Sequence, residues 1–164
     1  MSGGPLNFAQ DELVVVPGCG VGRIEAIETM ETGDEPVEMY KIFVESTGVR
    51  MWVPTYRAAA DGYRRPLDED RIDAVLEMIR DTTAPDKRAT WNRRQRRYQE
   101  LLMSNDPMQL AALLGELASV RQAKALSFGE RKMFDRACEL MSTELQSATA
   151  AKNIVKRFED ALTA

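Results

Sequence analysis

The chain has 164 residues, 44% of them hydrophobic and 29% charged, with a formal net charge of −4 and no histidine. This is the composition of a folded, water-soluble protein with room for one large domain or two small ones. The lack of histidine removes His-dependent triads, most catalytic zinc sites and the usual general base near neutral pH, and no apolar run reaches the roughly 20 residues of a membrane span.

The first residues carry neither basic charge nor a long apolar core, so no signal peptide is expected and the cytoplasm is the expected location. Cys19 and Cys138 are spaced as no metal or redox motif, and a disulfide is not expected in a reducing compartment. The segment from Glu12 to Pro17 is β-branched and runs into the turn Pro17 to Gly20. A second strand is predicted from Val21 to Met30, a turn at Thr32 to Asp34, and a third strand from Val37 to Glu45, followed by a hairpin turn near Thr47 and Gly48. From Val49 to Pro54 the residues alternate, which sends Val49, Met51 and Val53 inward and leaves Arg50 and Trp52 on the other face. A last short strand is predicted near Gly62 to Pro66. Several short strands in about 60 residues predict a small barrel of the SH3 or Tudor type.

Near Pro66 the period changes from 2 to 3.6. Asp68 is placed to cap a helix with Ile72, Val75, Leu76 and Ile79 on one face. Residues 81–89 include Pro85 and read as a loop, after which Thr90 caps a second helix to about Met103. Pro107 opens a third with the stripe Leu110, Leu113, Leu114 and Leu117. Ser127 and Glu130 have the spacing of a capping box, opening a fourth helix with Phe134, Ala137, Cys138, Met141 and Leu145 inward. A fifth, from about Thr149 to Leu162, presents Ile154, Val155, Phe158 and Leu162. The predicted class is α+β: a β domain over residues 1–66 and an all-α bundle over residues 67–164.

Charge is uneven along this plan. Residues 1–66 hold 6 basic and 10 acidic residues, and residues 67–164 hold 16 of each. The helical half is neutral but polarised, because Lys87, Arg88, Arg93, Arg94, Arg96 and Arg97 crowd into one stretch with Trp91 in its middle. Dense positive charge around one large ring suits a nucleic-acid contact. Periodicity offers a plainer reading, with Trp91, Tyr98 and Leu102 on a core face and Arg93, Arg96 and Arg97 on a solvated one. Against that, Trp91 falls in the first helical turn, where a side chain can project beyond a bundle. Four arginines in five residues also repel one another unless an anion is present.

Other signals are weaker. Gly18, Gly20 and Gly22 miss the spacing of a dinucleotide loop, because position 23 is Arg, and read as a hairpin turn. Cys19 lacks a neighbouring base, and Cys138 falls on an apolar face. The run Asp68 to Asp70 reads as favourable charge at a helix start, and Glu159 with Asp160 as solvated surface.

The stretches Val15 to Gly22, Thr90 to Arg94 and Leu126 to Met133 carry a resemblance. From about Phe8 to Leu145, and more weakly to the end, the chain resembles the CarD/CdnL family of bacterial transcription regulators. The resemblance implies a Tudor-like N-terminal domain that binds the β subunit of RNA polymerase. It also implies a C-terminal helical domain that contacts promoter DNA at the edge of the opening bubble. A Trp matching Trp91 would wedge into the minor groove, and basic residues matching Arg93, Arg96 and Arg131 would hold the phosphates, with little sequence specificity. The candidate DNA-contacting residues are thus Trp91, Arg93, Arg94, Arg96, Arg97 and Arg131, and the candidate polymerase-contacting residues are Met30, Arg50 and Trp52. Some family members place Arg at the positions of Met30 and Trp52, which are apolar here. The expected protein is a monomer without catalytic residues, metal or cofactor that stabilises the open promoter complex. The alternative is a protein-interaction module on the same scaffold that does not act at promoters.

Overall fold

The computed structural model describes residues 7–31, 33–82 and 90–163, and of Trp91 it describes the backbone alone. The loop predicted over residues 81–89, with Lys87 and Arg88, therefore lies almost wholly outside the described residues.

The N-terminal half is an antiparallel meander of four strands, β1 (Leu13–Val16), β2 (Gly20–Glu31), β3 (Pro36–Val44) and β4 (Val49–Pro54), paired in chain order. The turn from β1 to β2 takes three residues, and Gly18 sits there at φ +73°, a conformation that costs glycine nothing. The predicted strand near Gly62 to Pro66 reduces to one antiparallel bridge, in which Arg64 pairs with Val15 along the outer edge of β1. The sheet is thus a curled half-barrel. Its concave side holds a small core of Phe8, Val14, Val16, Ile24, Tyr40, Ile42, Val44, Val53 and Ala58. Phe8 meets the Tyr40 ring edge-on at 5.5 Å between centroids and donates its N–H to the Tyr40 hydroxyl at 3.1 Å. Val49, predicted to point into the barrel, is exposed, because it ends the ladder opposite Val44 with no further layer above it.

The second half contains α1 (Ile72–Asp81), α2 (Trp91–Met103), α3 (Pro107–Ala123), α4 (Phe128–Ala148) and α5 (Ile154–Leu162). The buried residues of α1 are the predicted stripe. Asp68 makes no side-chain cap; a single turn of 3-10 helix over Glu69–Arg71 comes first. Thr149 ends α4 instead of opening α5. The main difference from the sequence reading is α3, which is buried on nearly every side, with Ala111, Gly115, Glu116 and Ala118 as inaccessible as the predicted leucines. A helix apolar all round is a central one, and α1, α2, α4 and α5 all touch it. Gly115 permits the closest approach: a Cβ there would lie 2.7 Å from the Ile79 carbonyl oxygen of α1. Contacts divide the chain into two compact units, Met1–Pro66 and Leu67–Ala164. The second begins where the Leu67 N–H donates to the buried Glu144 carboxylate at 2.8 Å.

Candidate functional site

Residues directly opposite on paired strands share a face of the sheet. The register puts Lys41 opposite Trp52 and Phe43 opposite Arg50, all on the convex side. Trp52 is 44% exposed. Its indole N–H donates to Glu28 Oε2 at 3.3 Å, and the Lys41 ammonium lies 5.8 Å from its ring centroid. Arg50 pairs with Glu25 at 2.8 Å and lays its guanidinium 4.4 Å from the Phe43 centroid. The Arg50 hydrogen bond holds the Glu25 carboxyl below the usual carboxylate range. Trp52 therefore stays on the convex face, outside the core. Met30, opposite Val37, is on the same face but four residues along β2 from Ala26, the β2 residue in the Trp52 row. At about 3.4 Å per residue it stands about 14 Å away, so the structure brings Arg50 and Trp52 together and leaves Met30 apart. Among the described residues β4 pairs with β3 alone, so one edge of the sheet is open there. Lys41 and Phe43 were missed in the sequence; the alternation of β3 could have shown them, but only once its register with β4 was known.

On the helical unit, α2 begins as predicted: the Thr90 side chain accepts from the Arg93 N–H at 3.3 Å. Its stripe toward the bundle is Arg94, Tyr98 and Leu101, with Arg97 half-exposed at the margin. Tyr98 is fully buried, which pushes its hydroxyl above the ordinary tyrosine value. Arg97 extends both guanidinium arms to Glu116 of α3, one of them at 2.7 Å, and Arg94 reaches Glu130 of α4 at 3.1 Å. Both carboxylates are about 5% exposed or less. The anion that four crowded arginines require is thus supplied twice from within the chain. Arg97 is exposed like Arg93 and Arg96, as the periodicity suggested, but its guanidinium is turned to Glu116. Arg93, Arg96 and Arg131 are exposed, and have no ion pair among the described residues. The predicted placement of the Trp91 side chain lies outside the described residues.

Arg94 is the fourth residue of α2 and Glu130 the third of α4, so their bond joins the first turns of the two helices. Beside it lies a cleft of about 400 Å³ lined by Arg94, Lys124, Ser127, Phe128, Gly129 and Glu130. Phe128 is 80% exposed, with the Lys132 ammonium 5.5 Å from its ring centroid. Sequence reading missed Phe128, although it sits at the first helical position, outside the inward stripe of α4. The convergence gives exposed aromatic surface ringed by cations, which can pack on sugars or bases while neutralising phosphates.

The Ser127 cap is complete: its hydroxyl accepts from the Glu130 N–H at 3.2 Å, and its own N–H donates to Glu130 Oε1 at 2.9 Å. Ser127→Ala should cost about 1 kcal/mol in urea melts. Burial alone would raise the Glu130 pKa, but the Ser127 and Arg94 hydrogen bonds outweigh it and hold the carboxyl below the usual range. The unfolded chain therefore takes up this proton first as pH falls. The stabilisation is complete above the ordinary glutamate pKa of about 4.3 and is lost as pH drops through the lower native value. Melts of the parent and Glu130→Gln should differ most near neutrality and converge in acid; a constant gap would refute the assignment. By contrast, burial pushes the Cys138 thiol up to about 12, so it is inert as a nucleophile at neutral pH.

Among the described residues no helix is long and apolar enough to cross a membrane. Residues 8–64 match the CarD-like/TRCF RID domain, and residues 74–157 match the CarD C-terminal domain. A Bacillus subtilis (strain 168) protein named "Putative transcription factor YdeB" is 25% identical over 139 residues, which cover 85% of this chain and 90% of that protein. The C-terminal match alone spans about half of the chain, and together the two matches show that the chain belongs to the CarD/CdnL family, whose role is in transcription rather than catalysis.

Proposed function

We propose that the protein binds the RNA polymerase β subunit through its β unit and contacts promoter DNA through its helical unit, so stabilising the open promoter complex. The observation that carries this reading is the cleft where α2 and α4 begin, lined by Arg94, Lys124 and the exposed Phe128 with Lys132 over its ring, on two helices that also expose Arg93, Arg96 and Arg131. Such a surface binds phosphates with little sequence preference and takes apolar wedges into a deformed minor groove. The polymerase contact is supported by Arg50 and Trp52 beside the open β4 edge, where a partner strand can pair and a Trp and an Arg can anchor it. Met30 contributes only if the partner covers the whole convex face.

Challenge of preformed open complexes with a competitor tests the reading: their lifetime should lengthen when the protein is present. An unchanged lifetime would favour the alternative, a protein-interaction module that does not act at promoters. One feature speaks for that alternative, namely that two of the four α2 arginines are neutralised internally.

A further inference from the structure

We propose that Glu116 and Glu130 are positioning residues for the DNA contact. They hold Arg97 and Arg94 as struts between α2 and the bundle, so that α2 offers phosphates two arginines, Arg93 and Arg96, instead of four. The inference rests on the DNA-contacting reading above and adds to it a charge count and the means by which α2 is held.

α2 has little else to hold it. Among its described side chains only Tyr98 is fully buried, with Leu101 and Leu102 half-buried against the core. Helices in proteins are kept mainly by packing of an apolar face, and this one is small. The ion pairs complete the stripe. Glu116 sits on the central helix α3, where an ionised carboxylate is tolerable only when paired. The Arg97 fork meets both its oxygens, the strongest form of that pairing, and the Glu116 bond raises the Arg97 pKa further. Moving Arg97 to a phosphate would strand a buried charge. Glu130 is similarly committed, with Oε1 on the Ser127 N–H and Oε2 on Arg94. Arg97 is itself half-exposed, so what withholds it is its partner: a phosphate that drew Arg97 or Arg94 away would strand a buried carboxylate in the bundle that presents the other two arginines.

The test is equilibrium binding of the full chain to a fluorescent promoter duplex with a forked end, across a sodium chloride series. Each phosphate contact contributes about 0.9 to the slope of log K against log salt. Arg93→Gln combined with Arg96→Gln should flatten the slope by about 1.8. Arg97→Gln combined with Glu116→Gln removes both charges without stranding a carboxylate. This pair should weaken binding about fivefold, because α2 is held less well, yet leave the slope unchanged. A slope flattened by about 0.9 would make Arg97 a phosphate contact and overturn the proposal. So would an unchanged affinity at unchanged slope, which would leave the pair a purely structural one. If circular dichroism shows that pair unfolded, Arg94→Gln combined with Glu130→Gln, which retains the cap geometry, is read in the same way. A parent chain with no salt-dependent binding at all would instead remove the DNA-contacting reading itself.

Discussion

Replacing Trp91 with alanine should shorten the lifetime of the open promoter complex about tenfold or more while leaving polymerase binding intact. Stacking of an aromatic side chain on a base contributes about 1–3 kcal/mol, and about 1.4 kcal/mol is a factor of ten. The position favours such a role. Trp91 is the first residue of α2, directly after the Thr90 cap, and Arg93 follows within the same turn. A wedge that unstacks a base step costs a few kcal/mol, which neighbouring phosphate contacts must offset. Among the described residues Arg93, Arg96 and Arg131 are exposed cations without an ion pair, whereas Arg94 and Arg97 are engaged by Glu130 and Glu116. Binding of the free protein to DNA should therefore be weak and salt-sensitive. If the alanine variant sustains open complexes as well as the parent, or simply unfolds, Trp91 belongs to the core.

Trp52→Ala should weaken binding to the β subunit by about 2 kcal/mol or more, close to thirtyfold, with little change in melting temperature. An exposed Trp that gives one hydrogen bond to Glu28 supports the free fold only modestly. Covered by a partner, the same ring loses its water and becomes the type of residue that dominates interfaces. Arg50, stacked on Phe43 and tied to Glu25, is already ordered in the free protein, so less side-chain entropy remains to be lost on docking. A marked fall in melting temperature at unchanged affinity would assign Trp52 to the fold and leave the docking surface elsewhere.

Local patterns carried much of the architecture. The Thr90 cap and the Ser127 capping box are written within a few residues each, and the structure has both. What the sequence hid depended on residues far along the chain. That Arg97 is engaged by Glu116, a buried residue of another helix, could not be read from the α2 pattern alone. The convex pairing of Phe43 with Arg50 required the β3–β4 register. A register shift between Ile24 and Ala26 changes which β2 residues face inward, a feature that simple alternation does not report. Phe128 looked like one more apolar helix residue, yet at the first helical position it has no neighbouring turn to cover it. These features depend on register and packing between elements, while the elements themselves were readable singly.

Capture of the purified polymerase β subunit by separate pieces tests the division of labour between the two units. Residues 1–66 and 67–164 are expressed apart, each first checked by circular dichroism, where strand signal should dominate the first piece and helical signal the second. The 1–66 piece should retain the β subunit as the full chain does, Trp52→Ala should weaken that capture about thirtyfold, and the 67–164 piece should retain none. Capture by the helical piece alone, or by neither folded piece nor the full chain, would contradict that division.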